Sequence, residues 1–469
     1  MKYIFSTIIL IGSLKISAQH TAGITVTFDA APSNVSVKTA PLRYNKDFAY
    51  SFTFDDGKED AYTNGFPLLN GGKASDGQTY PGLYFTDGCG NPVKFKAGIA
   101  WTSKNLDGQD VHTNTPGLMN WTQLKDLYNS GWNVLNHSLS HATGDGTDYD
   151  YQVKENARYV KEKTGIPLKQ FVIPSGDIGY IQAATDNGFK AIYNQHSFPG
   201  ADGLDVSGNF DLQNFRFFRR FMSDQDYNAS DISQWTDKVA SASGDNKKLW
   251  YSEFTHHISN EPLEGSLLFS TFSSYMNYLE DSYGRDGRDI MWFAPLQEVY
   301  EYIYLARTVN PQVSVSGNQA FISMDFENVP DNFDKYALSL LITSDKNIVS
   351  AESDADHSAF QTSGSDKLVN LEWNSKPVTI TPASINNYKK EGNPGIYPNP
   401  VTDRIYFNTF TDEKINYLIS DAAGNSIKMG QLSSSVQNLN ISEISQTGLF
   451  FLILTDESGN RRIMKFIKE

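Results

Sequence analysis

Two adjacent carboxylates, Asp55 and Asp56, and two histidines four residues apart, His137 and His141, are the residues whose types and spacing could do chemistry together. The carboxylates follow the run Phe48-Ala-Tyr-Ser-Phe-Thr-Phe54, and Gly57 then lets the backbone turn at once. In a helical turn or a tight loop, a four-residue spacing sets both imidazoles on one side. Two imidazoles and a carboxylate make a three-ligand site for a divalent cation, with positions left for water and substrate. The chemistry this offers is metal-assisted hydrolysis.

Regular elements must carry these residues. Phe48, Tyr50, Phe52 and Phe54 alternate with small or polar residues, the pattern of a strand with one buried face. Further strands are expected at 93–99, 132–136, 170–173, 189–193, 215–221, 248–254 and 290–293. Helices are expected between them, at 121–128, 149–163, 180–187, 230–242, 264–282 and 295–306. This alternation predicts a parallel α/β sheet or barrel. Asp55/Asp56, His137/His141, Pro174-Ser-Gly176 and His256/His257 each follow an apolar run, so in a barrel all four clusters share the face where catalytic residues gather.

The 469 residues suggest about three folded units. A net charge of -15 opposes nucleic acid and anionic membrane surfaces as partners. Residues 1–18 read as a signal peptide: Lys2, an apolar stretch from Ile4, then Ser17-Ala18. No stretch reaches the ~20 apolar residues of a transmembrane helix. Cys89 is the only cysteine, which excludes an internal disulfide, and it is read as a structural thiol. The barrel is expected over 22–306, a β-sandwich-like module over 308–388, a linker at 389–395 and a last all-β domain at 396–469.

Thr53-Phe-Asp-Asp-Gly57 together with Asn136-His-Ser-Leu-Ser-His141 resembles the polysaccharide deacetylases of carbohydrate esterase family 4, the NodB-homology domain. The resemblance covers roughly residues 45–305 and implies a distorted (β/α)7-8 barrel followed by the two small all-β domains. It implies Asp55 as catalytic base, and Asp56, His137 and His141 as ligands of a divalent metal, zinc first, with cobalt, nickel or manganese as alternatives. Trp250-Tyr-Ser-Glu-Phe-Thr-His-His-Ile258 is similar to the late strand that ends in the acid; His256 is the match and His257 its rival. Side chains alternate along a strand, so only one of them should face the site. The third motif departs from the pattern: Pro174 and Gly176 match, and Ser175 would offer its N–H to the oxyanion, but Val172 stands where an arginine is usual. Arg220 is the expected replacement cation. For the aspartate that supports the acid, Asp224 and Asp226 are the candidates. Tyr80, Tyr84 and Phe85, in the insert after the first motif, either stack on sugar rings or pack the insert against the barrel.

Ile396-Tyr-Pro-Asn-Pro-Val-Thr-Asp403 resembles the opening of the type IX secretion sorting domain, which implies a secreted or surface-attached protein handled by that machinery. An ordinary terminal β-sandwich is the alternative. The deacetylase resemblance implies removal of N- or O-acetyl groups from a polysaccharide or oligosaccharide like chitin, peptidoglycan or xylan. The second reading is a weak or inactive carbohydrate-binding or adhesive protein on the same barrel.

Overall fold

The computed structural model describes residues 18–196, 203–224, 229–263, 265–377, 379–380, 396–397, 400–407, 414–421, 426–433, 438–456 and 461–468. Residues 1–17 of the expected signal peptide, the linker 389–395 and Asp226 lie outside them. The chain divides into two compact units, Met1–Thr381 and Pro382–Glu469.

In the first unit, strands β1 (Thr21–Phe28) and β2 (Val35–Thr39) precede the barrel. Eight strands of the barrel region follow: β3 (Phe48–Asp55), β4 (Gly98–Trp101), β5 (Asn133–Asn136), β6 (Phe171–Val172), β7 (Ala191–His196), β8 (Phe215–Phe221), β9 (Leu249–Thr255) and β10 (Met291–Phe293). Helices Trp121–Asn129, Tyr149–Thr164, Tyr180–Asp186, Ala229–Ala242, Phe269–Tyr283 and Leu296–Thr308 alternate with them. Strands β3 to β9 pair in parallel, in chain order, and β9 closes the ring on β3. This is the distorted (β/α) barrel that the motif resemblance implied, one of the two forms the alternation of elements allowed. Strand β10 pairs with the first half of β3, residues 48–50, while β4 pairs with its second half, residues 53–55. A short eighth strand is thus wedged into the bottom of a seven-membered ring.

All eight residues of β3 are buried, not one face of it. Tyr50, Phe52 and Phe54 meet Phe293, Phe272 and Trp132, with ring centroids 5.0, 5.2 and 5.9 Å apart. Ser51, Thr53 and Asp55 point to the opposite face, into the barrel, where Trp250 Nε1 donates to Ser51 Oγ at 3.0 Å. Strands of a parallel barrel are covered on both sides, so the small polar residues of the alternation mark the interior, not solvent.

Two further expectations change. The run 93–99 is broken: Pro92–Lys94 forms a hairpin with Tyr84–Thr86, and only Gly98–Trp101 joins the barrel. The barrel also starts later than residue 22. Strand β1 pairs with Gln319–Asp325 and Ile348–Ser353, and β2 with Tyr336–Ser344, so both complete the β-sandwich. The physical sign is the strict alternation of burial along β1, with Ala22, Ile24, Val26 and Phe28 inside, as in a sheet with one wet face. The two four-stranded sheets enclose Ile24, Val26, Phe28, Ile322, Leu340 and Trp373, and the barrel's last helix adds Leu305 to that core. Arg43 fastens the seam, pairing with Glu298 of that helix at 2.9 Å and with Glu372 of the sandwich. Cys89 sits half-buried in this seam against Ala40, Leu341 and Leu368, and burial pushes its thiol up to about 12. In the second unit, the described strands form a three-stranded and a four-stranded sheet around Ile419, Ile441, Leu452 and Phe466.

Because the N-terminal strands share one core with residues 305–373, the sandwich is not a removable module. A chain ended after Thr308 keeps β1 and β2 but removes every strand they pair with, baring Ile24, Val26 and Phe28 at about 1.5–3 kcal/mol each. It is expected to aggregate or to lose its cooperative thermal transition. A melting temperature equal to that of the full chain would contradict this packing.

Candidate metal centre

The first loop of the site leaves the end of β3. Asp56 and Gly57 both take left-handed backbone conformations, with φ 67° and 62°. A Cβ on residue 57 would lie 2.9 Å from His112 Cε1 and 3.0 Å from the Trp101 ring, so the turn has room for glycine alone. The second loop leaves the end of β5. Asn136 Oδ1 accepts from the N–H of Ser138 at 3.0 Å and from Asn156 Nδ2 at 2.8 Å, and Ser138 Oγ accepts from the N–H of His141 at 3.0 Å. Ser138 and His141 are again left-handed, at φ 65° and 56°. The histidine pair therefore sits in a tight loop, not on a helix.

These loops bring Asp56 Oδ1 to 3.6 Å from His137 Nε2 and 3.7 Å from His141 Nε2. Both separations exceed a hydrogen bond. Asp56 Oδ1 is buried and has no hydrogen-bond partner. Two ligand atoms at about 2.0–2.1 Å from a tetrahedral zinc ion stand about 3.4 Å apart, so the donor set fits a shared cation. Asp56, His137 and His141 are the one such group among the described residues, with ligand atoms all within 4.8 Å of one another.

His137 Nδ1 donates to the Val172 carbonyl at 2.9 Å, which leaves Nε2 with its lone pair facing Asp56. Burial is the main influence on this imidazole and pushes its pKa down to about 4, keeping it in the neutral form a ligand needs. Burial raises the Asp56 carboxyl, but the facing His137, His141 and His256, with Lys58, outweigh it and hold it below the usual range.

Asp55 has different surroundings. It is 2% exposed, and a fully buried Arg219 grips both its oxygens, Nη1 to Oδ1 at 2.7 Å and Nη2 to Oδ2 at 2.9 Å. Arg219 Nη1 also donates to Thr53 Oγ1 at 2.6 Å, and its guanidinium lies 4.2 Å from the centre of the Phe254 ring. The cation beside Asp55 is thus Arg219, not Arg220. Consecutive strand residues face opposite ways. Arg220 turns to the outer layer, 3.2 Å from Tyr251 Oη, 3.3 Å from Glu253 Oε1 and over the Trp235 ring.

The same alternation separates the two late histidines. Phe254 reaches Arg219 inside the barrel, and His256, two residues on, rests its ring against Phe221 and Phe254 and acts on the charge of Asp56. His257 turns away and meets Asp60 Oδ2 through Nδ1 at 3.0 Å. Pro174–Gly176 forms a 3-10 turn directly beyond Val172, with exposed Ser175 strained at φ 49°. Asp224 accepts from the N–H of Leu268, and among the described residues no hydrogen bond or ion pair joins it to a histidine. The insert's aromatics pack: Phe85 is buried, Tyr80 sits edge-on to Phe269, and Arg285 covers the Tyr84 ring at 4.6 Å.

Comparison with curated proteins finds no match. Residues 395–469 match the family model described as "Secretion system C-terminal sorting domain". Among solved structures, the chain is similar to the Streptococcus pyogenes deacetylase PplD in complex with acetate, at 16% identity and TM-score 0.26 over 37% of this chain. That match spans 65% of the PplD chain, just under two thirds of its length. It is similar to a mutant of the peptidoglycan deacetylase PdaC from Bacillus subtilis, at 15% identity and TM-score 0.32, over 56% of this chain and 94% of that one. It is also similar to BA3943, a CE4 family pseudoenzyme from Bacillus anthracis, at 12% identity and TM-score 0.29, over 55% of this chain and 66% of that one.

The loop geometry makes a direct prediction. Gly57→Ala forces a side chain into a left-handed position against His112 and Trp101 and is expected to cost roughly 1–3 kcal/mol in denaturant unfolding. A change below about 0.5 kcal/mol, the range of ordinary surface substitutions, would mean the turn is not held as described.

Proposed function

We propose that this chain is an exported, metal-dependent deacetylase that hydrolyses N- or O-acetyl groups on a glycan. The observation that supports it most is the orphaned, buried Asp56 Oδ1 facing two imidazole nitrogens at 3.6 and 3.7 Å, next to a second carboxylate of different environment. Asp56, His137 and His141 would hold the cation. A set of two nitrogens and one oxygen suits zinc, with cobalt, nickel or manganese as alternatives. When bound, a divalent cation supplies a Lewis acid that lowers the pKa of water and polarises an acyl carbonyl.

The chain's own side chains complete the reaction. Water attacks the acyl carbon and gives its proton to Asp55 as general base. The C–N or C–O bond to the sugar then breaks, His256 hands a proton to the departing nitrogen or oxygen, and acetate is the second product. Ser175, at the strained turn after Val172, would offer its N–H to the developing oxyanion, and Pro174 and Gly176 set that turn. The sorting domain supports export by type IX secretion, with release or attachment at the cell surface. The glycan substrate rests on the motif resemblance. Val172 in place of an arginine and the unplaced aspartate that would support the acid were the observations favouring an inactive binding protein. Arg219 on Asp55 answers the first, while Asp224 binds Leu268 and does not supply the second.

The test is acetate release from acetylated chitin, xylan and peptidoglycan. Chelation is expected to abolish it, and zinc or cobalt to restore it. Asp55→Asn should lower turnover about 10²–10⁴-fold while metal stays bound. His137→Ala should lose the metal as well. Full activity in chelator, or no acetate from any of these substrates by the metal-loaded protein, would sink the proposal.

A further inference from the structure

Asp55 and Asp56 are the same side chain at consecutive positions, and both reach the same imidazole. Asp55 Oδ2 lies 3.9 Å from His137 Nε2, and Asp56 Oδ1 lies 3.6 Å from it. Distance alone does not say which of them a cation at His137 would recruit. Their partners do. Both oxygens of Asp55 are taken by the fork of Arg219, which is itself fixed by Thr53 and the Phe254 ring and has no contact with water. Asp56 has one oxygen with no hydrogen bond and the other 3.8 Å from the ammonium of Lys58.

We propose that Arg219 is the positioning residue that assigns the two carboxylates their separate tasks. By occupying both oxygens of Asp55 it keeps that side chain out of the cation's ligand set. Asp56 is then the sole carboxylate ligand, and a coordination position stays open for water and substrate. The planar guanidinium suits this, since it engages both carboxylate oxygens at once where an ammonium engages one. Arg219 also balances the charge of Asp55, so the cation meets one carboxylate oxygen free of hydrogen bonds, Asp56 Oδ1. The inference rests on the metal-centre reading above.

The test compares wild-type full-length protein with Arg219→Met, titrated with zinc for affinity and with cobalt for its visible spectrum. Freed from the fork, Asp55 is expected to join the ligand set. Zinc Kd should tighten about tenfold or more, the cobalt bands should weaken as the coordination number rises, and acetate release should fall at least about a hundredfold with metal still bound. The double variant Asp55→Asn/Arg219→Met should return Kd and spectrum to wild-type values. Should Arg219→Met fail to fold, Arg219→Lys carries the test. It frees one oxygen of Asp55 and should move Kd and spectrum in the same direction. A cobalt spectrum and zinc Kd unchanged in the single variants, or tightening that persists without Asp55, would overturn the proposal. Wild-type protein that binds neither metal would instead bring down the metal-centre reading beneath it.

Discussion

The burial of a charged pair at the mouth of the barrel is the constraint around which the rest is arranged. Asp55 and Arg219 are almost wholly out of water, a state that costs several kcal/mol per ion unless geometry and further hydrogen bonds offset it. Here two parallel N–H···O bonds, a third to Thr53 and the face of Phe254 do so. Each of these groups comes from the inner face of a parallel strand. The register that pairs β3 with β9, residues 48–54 against 249–255, holds Asp55 and Phe254 at the same end. Arg219 comes from β8, next to β9 in the ring. A one-residue slip of any one of these strands would turn its own contribution outward.

From that pair outward, strain replaces packing. Asp56, Ser138, His141 and Ser175 are non-glycine residues in left-handed conformations, and all four stand in loops at the ends of barrel strands. Such positions cost free energy and persist where their surroundings over-determine them. The surroundings are visible: Gly57 beneath His112 and Trp101, Asn136 braced by Asn156 and Val153, and His137 bonded to Val172. The scaffold thus holds two imidazoles and a carboxylate toward one point, with their ligand atoms within 4.8 Å of one another.

Much of this was legible in the amino-acid order. The strand–helix alternation with the motif resemblance was enough for the barrel, and the Asp-Asp-Gly turn and paired histidines named the three side chains that the fold brings together. His256 was separable from His257 by period two, and the same rule applied to Phe215, Phe217 and Arg219 would have selected Arg219 over Arg220. What misled was a choice made by position at the end of an apolar run, not by face. The N-terminal strand was misplaced because its pairing is non-local. Residues 24–28 meet 319–322 and 348–353, a separation no window of sequence spans, although strict alternation already marked a half-wet sheet. The insert's tyrosines carried no sign of their partners, since Phe269 and Arg285 lie roughly two hundred residues away.

The most direct measurement is anomalous diffraction at the zinc edge from zinc-loaded crystals of the full chain. The account predicts one strong peak within bonding distance of Asp56 Oδ1, His137 Nε2 and His141 Nε2, with Asp55 still held by Arg219 and outside the ligand set. A map with no peak at that point, or a zinc ion held elsewhere with the three side chains unengaged, would contradict it.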